Sequence, residues 1–433
     1  MKVLLIAGFS DSEIRERLSF RKRSILFNFL IKLFHLPDRV GQFSDHAVWV
    51  KNMIASFEKR NDIVLHVAGP HIRLNKAIEE FELRGVNYHF FRSEFSAFAR
   101  LAKNYKLWKF FQRSGRYTTK ILKQVRPDLV ILSGAENPVT SVSILYAKQY
   151  PRLCLCQTVY NDPELHKYTN PDELRVHVEQ AIFSELKYFG VYCKKHYELL
   201  SQQTEQKYIF KYNYPPKGTL PELNYTEKQY DFVNFAAAHS MAKGTHDSIK
   251  ALAIVKEKYP DVTLNIVGGV SEKLRAELNI LIDKLGLNNN VVFTPFFENR
   301  NDMLLHIQKS HFAVLPCKID NISGTMNQSL SRGLPLVVYK TSGTPIFNAE
   351  RECVLIVEMG DVEGLAKNML LLMDNSEVAE KLRENGIWLR KRQIELHRKN
   401  WERLTNSFQS IIDNYKTGGP VMVEGLFDPE TDE

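Results

Sequence analysis

The stretch DNISGTMNQSLSRGLPLVV, Asp320–Val338, is the part of the sequence that most clearly indicates the fold. It follows the apolar run Phe312–Leu315, whose length and composition are typical of a buried strand. Ser323 is a favoured N-cap residue, and Gly333 is the residue type that most often ends a helix. Pro335 then opens a second apolar run. The stretch therefore predicts a strand, a polar loop, a short helix and another strand.

The start of this helix is a candidate anion-binding site. The backbone N–H groups of Gly324 and Thr325 stand at a helix N-terminus, where no partner exists within the helix. Lys243-Gly244 follows the predicted strand Phe232–Ala236 and precedes a helix, a position where a lysine is a natural partner for phosphate. Each feature alone is also typical of an ordinary turn or a solvated lysine. Their order along the chain decides the interpretation.

The chain of 433 residues alternates apolar strands with helical stretches on both sides of a break at Phe210–Lys228. Continuous apolar strands separated by helices predict parallel sheets that are covered on both faces. We therefore predict an α/β protein with two doubly wound, Rossmann-like domains facing across a cleft, with ligands beyond the C-terminal ends of the strands. Strands are expected at Val3–Ile6, Ile63–Val67, Tyr88–Phe91, Asp128–Leu132, Leu153–Thr158 and Gly190–Tyr192, and after the break at Phe232–Ala236, Thr263–Val267, Val291–Phe293, Phe312–Leu315, Leu336–Val338 and Val354–Val357.

Taken in order, these features resemble the group 1 (family 4) retaining glycosyltransferases, which have the GT-B fold. The resemblance is strong over residues 229–375 and weaker over residues 1–210. It implies an N-terminal acceptor-side domain at 1–210, a linker at 211–228, a nucleotide-sugar-binding domain at 229–390 and a helix at 391–415 that crosses back to the first domain. Composition predicts that the acidic tail, 416–433, is disordered. The motifs that carry the resemblance are Lys243-Gly244, Ile266–Gly269, Val291–Phe296, Asp320–Val338, Gly343–Pro345 and Gly360–Ala366.

The resemblance implies roles for individual residues. Lys243 would neutralise the leaving diphosphate, and the N–H groups of Gly324 and Thr325 would hold its oxygens. Gln328 would bond the ribose, and Asp320 the hydroxyls of the transferred sugar, so that Lys243, Asp320 and Gln328 form the expected catalytic set. The donor site would also include His239, Gly268 and Ser323, and the acceptor side Gly8, Phe9, Tyr160 and Asn161.

Three positions depart from the family pattern. The family has two glutamates where this chain has Asp320 and Gln328. It has an arginine where this chain has Ala238 or His239, and we expect His239 to replace that cation in part. A Thr-x-His-Asp motif of the first domain is present here as Thr158–Asn161.

The resemblance implies no cofactor and no metal, because cationic and N–H groups stabilise the leaving diphosphate. The sequence agrees with this expectation: it contains no Asp-x-Asp pair, and its His residues have no metal-ligand spacing. The expected partners are therefore a nucleotide sugar and a glycan or lipid-linked acceptor.

A basic segment predicts a further partner. The chain carries 58 Lys and Arg against 50 Asp and Glu, a net charge of +8. No Asp or Glu stands between Phe95 and Pro127, and the basic residues there recur every three or four positions, so a helix would place them on one face. We expect this face to dock on an anionic membrane surface, although an ordinary solvated helix face is the alternative. No nucleic-acid motif accompanies the charge. The predicted membrane face includes Arg100, Lys103, Lys106, Lys109 and Arg113.

No apolar run is long enough to cross a bilayer, and the N-terminus lacks the features of a signal peptide. The expected function is transfer of a sugar from a nucleotide-diphosphate sugar to a lipid-linked or growing glycan, in bacterial surface polysaccharide synthesis at the cytoplasmic face of the membrane. Two alternatives stay open: a catalytically degenerate scaffold in a glycan-assembly complex, and a sugar-nucleotide epimerase or phosphorylase of the same fold.

Overall fold

The computed structural model describes residues 1–21, 47–71, 73–92, 113–135, 137–156, 159, 173–203, 207–216, 227–318, 324–341 and 343–432. The chain divides into two compact units. Unit 1 comprises Met1–His166, Asn170–Lys217 and Leu396–Glu433. Unit 2 comprises Gly218–Glu395 together with Lys167–Thr169. Each unit is built around one sheet with helices on both faces, as the alternating pattern predicts.

The sheet of unit 1 has the strand order β3-β4-β2-β1-β5-β6-β7-β8. All neighbouring strands are parallel except β3 and β4, which form an antiparallel pair. Its strands are β1 (Lys2–Ile6), β2 (Val64–His71), β3 (Ile78–Leu83), β4 (Val86–Arg92), β5 (Leu129–Ser133), β6 (Arg152–Leu155), β7 (Tyr188–Val191) and β8 (Tyr208–Lys211).

The first strand shows why this sheet is buried on both sides. Val3 and Leu5 face one hydrophobic core, and Leu4 and Ile6 face the other, because successive side chains of a strand alternate. The helices of the unit, numbered along the chain, are α1 (Ser12–Arg17), α2 (Val48–Phe57), α3 (Ser114–Val125), α4 (Pro138–Ser141), α5 (Glu173–Glu185) and α6 (Lys194–Ser201), with a 3₁₀ turn at Val142–Tyr146.

The sheet of unit 2 is parallel throughout, in the order β11-β10-β9-β12-β13-β14. Its strands are β9 (Tyr230–Ala238), β10 (Leu264–Gly269), β11 (Val291–Thr294), β12 (Ser310–Leu315), β13 (Leu336–Tyr339) and β14 (Leu355–Val357). Its helices are α7 (Thr245–Lys258), α8 (Glu272–Lys284), α9 (Arg300–Ile307), α10 (Gly324–Ser331) and α11 (Val362–Asp374), with 3₁₀ turns at Met241–Lys243 and Thr344–Asn348.

The long helix α12 (Ser376–Asn406) belongs to both units. Its residues from Leu396 onward lie in unit 1, where Trp401 is buried and its ring meets Phe57 at 5.3 Å in an edge-on contact. Helix α13 (Phe408–Thr417) continues this packing, with Phe408 and Ile411 in the same core. The expected return of the C-terminal helix to the first domain is confirmed.

Three features differ from the prediction. Strand β3 was not predicted, because its polar sequence IEEFEL has no long apolar run. Strand β8 lies where the first domain was expected to end, and its Phe210 is fully buried. The tail 416–433 was expected to be disordered, but its described part packs on unit 1: the Phe427 N–H donates to the carbonyl of Ile209 at 2.8 Å, and its ring is buried.

Candidate functional site

The loop after β9 carries Lys243 and Gly244 at the C-terminal edge of the second sheet. Gly244 has φ of +72°, and a β-carbon at this position would lie 2.0 Å from the carbonyl oxygen of Pro316. Only glycine combines this backbone angle with such a close approach. Gly244 is therefore required by geometry, because it lets the loop that holds Lys243 press against the loop after β12.

Two contacts join these loops. The Lys243 ammonium lies 3.8 Å from the sulfur of Cys317, and the Lys318 N–H donates to the carbonyl of Ala242 at 2.9 Å. Lys243 is thus held above the ends of the adjacent strands β9 and β12. This position at the C-terminal ends of parallel strands is where open α/β sheets bind ligands.

A buried carboxylate secures the same junction. Asp247, in the first turn of α7, accepts from Lys318 at 2.8 Å and from the Tyr339 hydroxyl at 3.0 Å. Burial and the nearby charge of Asp247 raise the pKa of Tyr339 well above its usual value, so the phenol stays protonated and donates. Sequence reasoning missed all three residues, because the partners are far apart in the chain and form no motif.

His239 differs from the expected role of a phosphate-binding cation. Its ring is buried, with Nδ1 2.9 Å from the Thr245 hydroxyl and Nε2 3.0 Å from the Val267 carbonyl oxygen. Burial is the largest cause that lowers the pKa of His239, and nearby Lys243 lowers it further. The ring is therefore neutral near pH 7 and ties β9, β10 and α7 together, whereas the adjacent Ala238 is exposed.

Gly268 is the last residue but one of β10, at the same edge of the sheet. Its φ is +130°, and a β-carbon there would lie 1.8 Å from the carbonyl oxygen of Ala236. No other residue type fits this close approach of two strand ends. The structure therefore places Gly268 and Lys243 at the ends of two adjacent strands.

Helix α10 has the predicted start and end. Gly324 is exposed, and no other part of the described chain comes within 4 Å of a β-carbon built there. Gly333 has φ of +65°, and the N–H groups of Gly333 and Leu334 donate to the carbonyls of Leu330 and Ser329, the bonding of a Schellman motif. Thr325 and Gln328 are half-buried on the helix. Asp320 and Ser323 lie outside the described residues.

Of the residues expected on the acceptor side, Gly8 follows β1, and a β-carbon there would approach the Thr140 hydroxyl to 2.7 Å. Phe9 differs from the expected substrate-facing position: its ring is buried in the core, 5.8 Å from the ring of Phe90. Tyr160 and Asn161 lie outside the described residues.

Most of the predicted membrane face, Arg100, Lys103, Lys106 and Lys109, also lies outside the described residues. Arg113 precedes α3, and it is exposed together with Arg116, Lys120 and Lys123, while Ile121, Leu122 and Val125 are buried on the opposite side of the helix. The described end of the basic segment is thus an amphipathic helix with a basic outer face. Among the described residues, no helix has the length and apolar character needed to span a bilayer.

In the part of the chain that the structure describes, no three His, Cys, Asp or Glu side chains lie close enough together to hold a metal ion. The metal independence of the reaction stays a prediction.

Comparison with known proteins finds a family match within the second unit. Residues 221–387 match the family model "Glycosyl transferases group 1". An uncharacterized glycosyltransferase of Haemophilus influenzae is 27% identical over 137 residues, 31% of this chain and 37% of that protein. The lipopolysaccharide core biosynthesis glycosyltransferase LpsE of Rhizobium meliloti is 26% identical over 144 residues, 33% of this chain and 40% of that protein. These matches span well under half of each relative.

Solved structures match nearly the whole chain. Sucrose-phosphate synthase from Thermosynechococcus elongatus has a TM-score of 0.67 at 12% identity, covering 95% of this chain and 99% of that one. Anabaena HepE in complex with UDP-glucose has a TM-score of 0.61 at 14% identity, covering 94% and 100%. At such low identity the likeness shows the fold alone, and that fold is GT-B.

Proposed function

We propose that this chain, whose residues 221–387 form a domain of the group 1 glycosyltransferases, is a retaining glycosyltransferase that uses a nucleotide-diphosphate sugar as donor. One observation carries the proposal: Gly268 lies at the C-terminal end of β10, Lys243 lies in the turn that follows the adjacent β9, and the loop after β12 presses against the Lys243 loop. The likeness to HepE, whose structure contains UDP-glucose, supports the same class of donor.

In this proposal the second unit stabilises the leaving diphosphate. The Lys243 ammonium would neutralise charge that develops on the diphosphate as the glycosidic bond breaks, and the N–H groups of Gly324 and Thr325 would donate to its oxygens. Gln328 would accept from or donate to the ribose hydroxyls, and Asp320 would accept from the hydroxyls of the sugar. The transferred sugar would keep its anomeric configuration. No protein nucleophile is assigned.

The acceptor in this proposal is a lipid-linked or growing glycan of the bacterial surface. The name of the lipopolysaccharide relative LpsE and the basic outer face of α3 support this choice. A membrane-docked enzyme should sediment with anionic liposomes, and the triple change of Lys103, Lys106 and Lys109 to Glu should release it. Equal sedimentation of the native chain and the variant would exclude docking through this segment.

The donor site is tested by thermal unfolding with UDP, GDP, ADP and CMP. A nucleotide at about 100 times its Kd should stabilise the native chain by about 2.7 kcal/mol. We expect one nucleotide to do so, and we expect Lys243→Ala to abolish the effect. Lys250→Ala is the control, since Lys250 is exposed on α7 and has the same charge. Stabilisation that persists in Lys243→Ala would exclude the assigned role.

Two alternatives are separated by their products. A scaffold would bind a nucleotide or none and would release no sugar from any donor. An epimerase or phosphorylase would convert the sugar nucleotide or a phosphorolysed glycan without a glycan acceptor. Product analysis of each nucleotide sugar, with and without acceptor, therefore decides between the three functions.

A further inference from the structure

Two arginines of unit 2 contact or directly follow α10, and a third, Arg300, interacts electrostatically with both. We name the three the arginine cluster: Arg300, Arg332 and Arg390. They come from the start of α9, the residue after α10 and the middle of α12. Arg390 lies over the flank of α10, where its Nη1 donates to the Asn327 side-chain oxygen at 2.8 Å and its Nε to the Ser331 hydroxyl at 3.3 Å. The cluster therefore sits on the helix that begins with Gly324.

The cluster has only neutral partners within the described chain. Arg390 also donates to the Gln393 side chain, and Arg332 donates to the Gln308 side-chain oxygen at 3.2 Å. The Nε of Arg332 is buried without a hydrogen-bond partner. Arg300 is exposed and has neither a hydrogen bond nor an ion pair to any described residue. By contrast Arg392, two residues from Arg390 on the same helix, pairs with Glu350 at 2.7 Å.

The charges of the cluster interact. Burial lowers the pKa of Arg390 to about 10, and repulsion from Arg300 adds to this shift. The pKa of Arg332 is lowered by the same two causes, in the same order. A protein that gathers partly buried guanidinium groups without a carboxylate loses stability, because like charges repel and desolvation is not compensated. An anion bound there would remove that cost.

We propose that the arginine cluster is a binding site for a phosphate-bearing ligand, which engages the exposed Arg300 together with Arg390 and Arg332. Guanidinium groups bind phosphate through two parallel hydrogen bonds, and three of them provide more donors than one phosphate group can use. A diphosphate or a phosphate ester fits this set. The phosphate has two possible sources, the diphosphate of a nucleotide or a separate phosphate compound, and the experiment below distinguishes them.

The test measures binding of inorganic pyrophosphate, one nucleoside diphosphate and its nucleoside to the full chain by calorimetry. The variants are Arg300→Gln and Arg390→Gln, and the control is Arg392→Gln, which changes the same charge on α12 outside the cluster. We expect each cluster variant to weaken pyrophosphate binding at least about tenfold, since a hydrogen bond to a charged group contributes about 1.5–3 kcal/mol. Arg392→Gln should leave the affinity within about twofold.

The pattern across ligands identifies the source. If the cluster variants bind the nucleoside diphosphate and pyrophosphate more weakly to the same extent, and bind the nucleoside as before, the cluster holds the diphosphate of the nucleotide. If the variants weaken only the binding of pyrophosphate, the site binds a phosphate compound other than the nucleotide. Absence of pyrophosphate binding to the native chain, or equal loss in the Arg392→Gln control, would overturn the proposal.

Stability without ligand gives an independent readout. Arg300→Gln removes no hydrogen bond of the described chain and relieves repulsion, so the unliganded variant should unfold at the same temperature as the native chain or higher. A purely structural role would instead lower that temperature and leave pyrophosphate binding unchanged, which would also overturn the proposal.

Discussion

The ion pair between Asp247 and Lys318 should be the main link that fixes the loop after β12. The Asp247 side chain is 9% exposed and that of Lys318 is 23% exposed, so solvent screens the pair only in part. Asp247→Asn keeps the shape and an acceptor for the Tyr339 hydroxyl, but it removes the charge that Lys318 faces. We expect a loss of about 1.5–3 kcal/mol in the free energy of unfolding, the range for a hydrogen bond to a charged group.

A double-mutant cycle isolates the pair. Lys318→Met should cost a similar amount, because the Tyr339 hydroxyl is then the one hydrogen-bond donor that the described residues give the Asp247 side chain. The double variant should cost about 1–2 kcal/mol less than the two single variants together, since neither partner is then left unpaired. Urea unfolding followed by tryptophan fluorescence gives these values. Single effects that add to within about 0.5 kcal/mol would refute the coupling.

The ion pair between Asp247 and Lys318 should also affect binding of the nucleotide donor. Lys318 lies between β12 and α10 in the chain, and its backbone N–H donates to the carbonyl of Ala242 in the loop of Lys243. If the pair positions these loops, Asp247→Asn should raise KM for the donor more than it lowers kcat, and Asp247→Glu should restore part of the loss. A change in stability without a change in KM would restrict the pair to a structural role.

Three further outcomes follow from single positions. Gly244→Ala should cost at least about 1–2 kcal/mol and abolish nucleotide-dependent stabilisation, whereas Gly286→Ala, at φ of +64° with open space around it, should cost only about 1 kcal/mol in thermal unfolding. Burial, and then repulsion from His89, lowers the pKa of His66 to about 4. Between pH 6.5 and 4 this histidine is therefore protonated in the unfolded chain and neutral in the native chain. The free energy of unfolding should therefore fall as pH falls through that window, and His66→Gln should weaken the pH dependence of the urea midpoint there. Ala238→Arg should strengthen nucleoside diphosphate binding several-fold by calorimetry, because an exposed cation is added beside the proposed diphosphate site.

The second unit could be predicted closely from the sequence, because local rules decide its site. The Gly333 end of α10 and the tight turn at Gly244 each depend on a backbone angle that few residues adopt. Strands such as β12 are buried on both faces and therefore read as continuous apolar runs. Periodicity and glycine positions thus gave the correct order of the strands, while helix α9 (Arg300–Ile307) was not predicted.

The remainder depended on tertiary contacts that no short segment encodes. Strand β3 is half exposed and polar, and it exists because β4 pairs with it. Phe9 follows β1, and its side chain is buried in the core against the ring of Phe90. The roles of Asp247 and of the arginine cluster depend on partners that are distant in sequence, so spacing could not reveal them.

His239 shows most clearly why residue type alone did not decide a role. A histidine near a lysine, before a helix, was compatible with a phosphate ligand, and its burial between two strand ends makes it neutral instead. In the proposed site, Lys243 is then the cation of the β9 loop, facing a diphosphate that carries more than one negative charge. The family arginine has no counterpart at the exposed Ala238. If this unit binds a nucleotide diphosphate as proposed, we expect it to take more of its positive charge from another element. The arginine cluster beside α10 has no carboxylate partner among the described residues, and parallel weakening of pyrophosphate and nucleoside diphosphate binding in Arg300→Gln would identify it as a source of that charge.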